Sequence, residues 1–233
     1  MPLDAAEMKR IVAEKAVDSY VKDGMNVGLG TGSTAYYAIR RIGQLVNENG
    51  YDLTCVATSV KSEELAKGFG VRVVDLDEVD KLDVTIDGAD EIDPKMNLVK
   101  GLGGALLREK IVAAATVREV IVADSSKIVE KLGTKAPLPV EVLRFGHEHT
   151  RNALRMQRCE PALRMDGDRP FVTDGGNYIY DCRFPEGIDN PFFIESRIDV
   201  IPGVVENGLF LNTAFEALVC DSEGNVRKMS EKA

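Results

Sequence analysis

The sequence predicts an α/β protein, with a Rossmann-like parallel sheet domain and a second, smaller α+β domain of ferredoxin-like, βαββαβ order. Three observations lead there. Strand-like and helix-like segments alternate through the first half, as parallel strands joined by crossover helices require. The rhythm changes near Gly133, where Thr134 to Pro139 is rich in turn formers. The final stretch, Ala217 to Val219, then the turn sequence Asp221-Ser222-Glu223-Gly224-Asn225, then Val226 to Met229, reads as a hairpin.

Residues 4–22 carry Met8, Ile11, Val12, Ala16 and Tyr20 near one helical face, and Asn26 to Leu29 reads as a short buried strand. After a glycine-rich turn come a helix at 34–48, a strand from Leu53 to Thr58, a helix at 61–69 and a strand from Val71 to Asp75. Leu82 to Ile86 and Glu119 to Ala123 supply further strands, with a helix at 104–116 between them. The second domain reads as strand 140–144, helix 147–158, strands 161–165 and 177–183, helix 191–200 and strand 203–210. The terminal hairpin, Ala217 to Val219 with Val226 to Met229, is expected to rejoin the first sheet. The expected division is therefore 1–133 plus 207–233 for the larger domain and 134–206 for the smaller.

Composition narrows the function. A chain of 233 residues, 44% of them hydrophobic, can bury a substantial core. Its net charge of -9, from 29 basic and 38 acidic side chains, repels a phosphate backbone, so nucleic acid is not an expected partner. A small anion can still bind a local nest of amides. Cys55, Cys159, Cys182 and Cys220 form no CxxC pair, and there are only two histidines, His147 and His149, so no structural zinc is expected. The N-terminus carries no basic, then apolar, then cleavable pattern, and no apolar run nears the ~20 residues that cross a bilayer. A reduced, cytoplasmic protein without membrane contact is the expectation. The histidines are expected to be exposed or capping, and the cysteines inert.

Two segments carry chemistry. Gly28-Leu29-Gly30-Thr31-Gly32-Ser33-Thr34 joins a strand to a helix and offers amides, hydroxyls and a helix N-terminus, which suit a phosphate. It fits neither the dinucleotide fingerprint nor the P-loop, and the same residues also fit a tight turn in which Ser33 or Thr34 caps the helix. The second segment packs Asp87, Asp90, Glu91 and Asp93 directly after an apolar strand, then Lys100-Gly101-Leu102-Gly103-Gly104 and Glu109. Crowded carboxylates raise one another's pKa, which suits proton chemistry or cation binding. An EF-hand is excluded, because Ala89 and Ile92 stand where a ligand and a glycine are needed. Loosely held magnesium and a capped turn with a solvated Glu91 stay open. Lys100 and Glu109 read equally as solvated surface charges, but the carboxyl ends of parallel strands would gather both segments in one crevice.

Taken together, Gly30-Thr31-Gly32-Ser33-Thr34-Ala35, Asp87-Gly88-Ala89-Asp90-Glu91, Lys100 to Leu106 with Arg108-Glu109-Lys110, and Pro137-Leu138-Pro139-Val140-Glu141-Val142 resemble ribose-5-phosphate isomerase, type A, in order and spacing. The resemblance runs from about residue 4 to the terminal hairpin, through Ile201-Pro202-Gly203-Val204-Val205 and Gly208-Leu209-Phe210, and is weakest over 145–195. It implies an aldose-ketose isomerase that interconverts D-ribose 5-phosphate and D-ribulose 5-phosphate through a cis-enediolate. That reaction belongs to the non-oxidative pentose phosphate pathway and uses no metal or organic cofactor. By the same resemblance Glu109 is the base, Asp87 assists ring opening with Asp90 in support, and Lys100 stabilises the oxyanion. Substrate contacts would come from Thr31, Gly32, Ser33, Thr34, Asp87, Gly88, Ala89, Asp90, Lys100, Gly101, Gly103, Gly104 and Lys127. The family forms homodimers or homotetramers.

Two other classes fit parts of the pattern. An amino-sugar phosphate deaminase would also need a phosphate loop and an acid-base pair, but it calls for a histidine near the acids. A sugar-phosphate sensor would need a basic DNA-binding segment, which this acidic chain lacks.

Overall fold

The computed structural model describes residues 2–230 and divides the chain into two compact units. The first contains Met1–Ala89, Arg108–Lys127 and Thr213–Ala233, and the second Asp90–Leu107 and Ile128–Asn212. The second unit therefore includes residues on both sides of the expected 134–206 segment, and the chain passes between units at 89/90, 107/108, 127/128 and 212/213.

In the first unit, α1 (Ala5–Tyr20) starts where the Asp4 carboxylate accepts a hydrogen bond from the Glu7 amide at 2.8 Å, and it buries Val12, Ala13, Ala16 and Val17. Strand β1 (Asn26–Leu29) leads into α2 (Ser33–Asn49), which buries Ala35, Ala38, Ile39, Ile42 and Leu45 along one face and ends at left-handed Gly50. Strand β2 (Thr54–Ala57) and α3 (Val60–Gly68), capped by Ser59, complete the first crossovers. The expected strand over Val71 to Asp75 is reduced to one bridge, Val73 with Cys55. Val71 is buried in the core and Val73 packs against it, while Arg72 and Asp75 are exposed, so the run meets the sheet only at its edge.

Strand β3 (Val84–Gly88) is followed by two short strands of the second unit, β4 (Glu91–Ile92) and β5 (Leu98–Val99), and by α4 (Leu106–Ala114). Strand β6 (Glu119–Asp124) is buried along its whole length. The second unit continues with β7 (Leu138–Val142), α5 (His147–Arg155), β8 (Glu160–Leu163), β9 (Met165–Asp166), β10 (Arg169–Pro170), β11 (Tyr178–Arg183), α6 (Pro191–Asp199), β12 (Val204–Asn207) and β13 (Leu209–Phe210). Strands β14 (Ala214–Cys220) and β15 (Val226–Met229) return to the first sheet, as the terminal hairpin was expected to do.

The first unit's sheet has the order β15-β14-β6-β3-β1-β2, parallel except at the β15 edge. Because β2 and β3 flank β1 on opposite sides, the carboxyl ends of β1 and β3 form the switch point where ligands of such sheets bind. The second unit's main sheet, β12-β7-β11-β8, is antiparallel throughout and has the 4-1-3-2 order of a ferredoxin-like βαββαβ unit. Its core gathers Leu138, Val140, Val142, Leu154, Tyr180, Cys182 and Ile198. The strand expected at 203–210 is broken at Gly208, whose amide donates to the Pro139 carbonyl while its own carbonyl accepts from the Lys100 amide. A Cβ there would sit 2.3 Å from the Lys100 carbonyl oxygen, so only glycine lets one segment serve two sheets. The second of these is β13-β5-β4.

Candidate active site

At the switch point of the first unit, Gly30 follows β1 and donates its amide to the Ile86 carbonyl at 3.0 Å. A Cβ on Gly30 would lie 2.2 Å from Asp87 Oδ1, so the glycine is what allows the loop to approach the acid. Asp87, the penultimate residue of β3, is 1% exposed and accepts from the amides of Thr31 at 3.0 Å and Gly88 at 2.7 Å. Gly32 caps α2 with φ of 113° and ψ of -176°, a conformation essentially reserved for glycine. No side chain caps the helix, so neither Ser33 nor Thr34 plays the capping part that a simple turn would give it. The first-turn amides and the positive end of the helix dipole thus remain for an anion. Ser33 Oγ instead accepts from Lys9 Nζ at 3.0 Å, placing an ammonium at this helix terminus.

Thr31 turns the other way. Its hydroxyl lies 2.7 Å from Thr58 Oγ1, donates to Ser59 Oγ at 2.8 Å and lies 3.1 Å from Ser62 Oγ. Thr58 and Ser62 are anchored in turn on the carbonyls of Leu29 and Gly30. Neither Lys9 nor this hydroxyl cluster was singled out in the sequence. Lys9 lies 24 residues from Ser33 and the cluster 27 to 31 residues from Thr31, and the one trace was the Ser59-x-x-Ser62 helix start.

Glu109 is the fourth residue of α4 and 4% exposed, so it is not the surface charge its neighbours Arg108 and Lys110 suggested. Lys127 closes the short 3-10 turn Ser125–Lys127 after β6 and is half-buried. The turn is fixed by Asp124, which accepts from both the amide and the hydroxyl of Ser126.

The second unit holds the other acids and the lysine. Asp90 is half-buried; its amide donates to the Val99 carbonyl at 2.8 Å and its Oδ2 accepts from the Leu102 amide at 2.9 Å. Gly101 and Gly104 take left-handed φ values of 103° and 81°, and the Gly104 amide closes the turn on the Gly101 carbonyl. Gly103 is exposed at its outer edge. Lys100 is 2% exposed, which rules out the solvated reading, and its Nζ sits 5.3 Å from the centre of the Phe210 ring. Strand β13 thus supplies a floor for the lysine.

The expectation of four acids crowded into one charge cluster is corrected at two of them. Glu91 is fully buried, not solvated, and accepts from the amides of Gly133 (2.5 Å), Lys135 (2.5 Å) and Ala136 (2.8 Å). Asp93 accepts from the amides of Lys95 and Asn97 and from the Asn97 side chain, fixing the β4–β5 turn. These two carboxylates are consumed by backbone. Among the described residues, no three His, Cys, Asp or Glu side chains gather as a group suited to a metal ion. His149 is exposed, whereas His147 lies 2.8 Å by Nδ1 from the Tyr180 hydroxyl and is therefore tied into the second unit. All four cysteines are buried free thiols, and burial pushes Cys55 up to about 12.

The switch-point loop with Asp87, and the separate glycine turn with Asp90 and a buried lysine, define an α/β enzyme equipped for an anionic substrate and proton transfer. The family model for ribose 5-phosphate isomerase A (phosphoriboisomerase A) matches residues 54–224. The ribose-5-phosphate isomerase A of Dinoroseobacter shibae is 48% identical over 97% of this chain and 87% of its own. That of Bacillus mycoides is 46% identical over 93% and 97%. The ribose 5-phosphate isomerase of Plasmodium falciparum has a TM-score of 0.94 at 38% identity, covering 98% of this chain and all of its own. A D-ribose-5-phosphate isomerase solved in complex with phospho-erythronic acid has a TM-score of 0.93 at 37% identity. The chain belongs to the ribose 5-phosphate isomerase A family.

Proposed function

We propose that the protein's isomerisation of D-ribose 5-phosphate and D-ribulose 5-phosphate runs through a cis-enediolate, with Glu109 as the base. The burial of Glu109 and Lys100, two charged side chains that cost free energy to desolvate, is the observation that carries this assignment of roles. Glu109 removes the proton from C2 of the open aldose and returns it to C1. Lys100, held over Phe210, offsets the negative charge that develops on the oxygen. Asp87 assists ring opening and proton exchange at the sugar oxygens, and Asp90 supports it while tethering the glycine turn.

The phosphate is assigned to the α2 terminus, with Thr31, Gly32, Ser33 and Thr34 around it and Lys9 and Lys127 as basic contacts. Gly88, Ala89, Gly101, Gly103 and Gly104 would line the sugar. Binding the phosphate away from the reacting carbons holds the substrate in register and raises the rate through orientation. The complex of a relative with phospho-erythronic acid, a phosphorylated sugar acid, supports a site of this kind. No metal or organic cofactor enters the proposed chemistry, the protein is assigned to the cytoplasm, and its place is the non-oxidative pentose phosphate pathway. Self-association as a homodimer or homotetramer is supported by exposed apolar side chains of the second unit, including Phe145 at 95% and Met156 at 79% exposure.

The test is turnover of ribose 5-phosphate in deuterated water containing EDTA, followed by NMR, with Glu109→Gln alongside. The expected result is ribulose 5-phosphate carrying deuterium at C1 for the parent, and a loss of about 10²-fold or more for a folded variant. Near-normal turnover by the variant would remove Glu109 as the base, and reversible loss of the parent's activity in EDTA would require a metal.

A further inference from the structure

The glycine turn after Lys100 presents two carbonyls, those of Gly101 and Leu102, to a cation of the second unit. Arg164, directly after β8, donates Nη1–H to the carbonyl of Gly101 at 2.9 Å and to that of Leu102 at 3.2 Å. Its other edge is committed to Asp181 on β11, with Nε donating to Oδ2 at 3.0 Å and Nη2 to Oδ1 at 2.5 Å. The two side chains are 12% and 24% exposed, so this is a mostly desolvated, bidentate pair and not a surface ion pair. Register explains the pairing: Asp181 stands opposite Ala162, and the Arg164 amide donates to the Ile179 carbonyl.

The next residues reinforce the same turn. The Phe171 amide donates to the Arg164 carbonyl at 2.9 Å, its ring lies 5.8 Å from the guanidinium carbon, and it occupies the space a Cβ on Gly104 would need, 2.4 Å away. The turn is therefore fixed from two sides, its Leu102 amide by Asp90 and its two carbonyls by Arg164. The described residues contain no cis peptide, so each peptide's N–H opposes its C=O. Drawing the Leu102 carbonyl to Arg164 turns the Gly103 N–H away from it, toward the side on which the Leu102 N–H meets Asp90.

We infer that Arg164, neutralised and oriented by Asp181, is a positioning residue for the isomerisation: it aims the Lys100–Gly104 turn so that its lysine and amide meet the enediolate oxygen. Arg164 acts through the turn and is not assigned a contact with the sugar. The inference rests on the proposed role of the Lys100 turn.

The experiment compares kcat and KM for ribose 5-phosphate in Arg164→Met, Arg164→Lys, Asp181→Asn and Lys100→Met, each assayed well below its own melting midpoint. Arg164→Met is expected to lower kcat by about 10- to 100-fold with KM changed much less, because misdirecting the turn harms the transition state more than ground-state binding. Arg164→Lys is expected to recover only part of this, since one ammonium cannot serve two carbonyls and a bidentate carboxylate. Asp181→Asn should lower kcat in the parent and add little in the Arg164→Met background. Folded Arg164 variants with parental kcat, beside an inactive Lys100→Met, would overturn the inference while leaving the proposed site intact. An active Lys100→Met would instead overturn the site reading itself. If Arg164→Met does not fold, the kcat of Arg164→Lys and Asp181→Asn decides, and parental values in both would be fatal.

Discussion

Lys100 shows how much a single side chain is asked to do. It is the largest charged side chain fully buried in the second unit, lying against Phe210 beneath a backbone held to Gly208. Replacement by methionine keeps the stem and removes the charge. We expect Lys100→Met to lower kcat by about 10²- to 10³-fold in a variant that still folds. A variant that lost stability and activity together would make the lysine structural. At this scale the sequence was informative where chemistry-bearing residues are neighbours in the chain. Asp87, Asp90, Lys100 and Glu109 stood out because they cluster within one short stretch. It was uninformative where partners are remote: nothing near Glu91 reveals that it binds amides 42 to 45 residues further on. Lys9 and Arg164 escaped notice for the same reason, since each reaches its partner across a long separation in the chain.

Among the elements, the α2 terminus depends on one torsion. A Cβ on Gly32 would meet nothing within 4 Å, yet its φ of 113° is strained for any other residue. Gly32→Ala is therefore expected to cost about 1–3 kcal/mol in chemical denaturation and to raise KM for ribose 5-phosphate, because relief of the strain moves the amides proposed to hold the phosphate. Parental stability and KM would remove the torsion as a constraint. Strand β7 carries a different constraint. Glu141 is buried and accepts from Thr173 Oγ1 at 2.8 Å and Asn177 Nδ2 at 2.9 Å; burial raises its pKa, and the two hydrogen bonds only partly oppose the shift. With the folded value above the unfolded one, the native state binds more protons, and stability falls as pH rises through the ordinary glutamate range to the raised value. Glu141→Gln should flatten that fall in denaturation curves taken from acid to neutral pH; an unchanged slope would show that other groups set it. Helix and strand types were legible because periodicity is local. Gly208's break and the failed strand at 71–75 were not, since each depends on which neighbouring segment claims the backbone.

For the whole molecule, the fold class was legible and the partition into units harder to read. A run of alternating elements reads directly as a parallel sheet, but Asp90–Leu107 joins the second unit through short pairings of β4, β5 and β13 that are too brief to mark a sequence. The order of synthesis gives this partition a further meaning. Strand β6, buried along its length, pairs on one side with β14, and the whole run 128–212 is made between them. At about 5–20 residues per second, a ribosome leaves the β14 side of that apolar strand unfilled for several seconds while residues 128–212 emerge. The nascent first sheet thus waits with an open edge, and the last strands delivered are the ones that seal it.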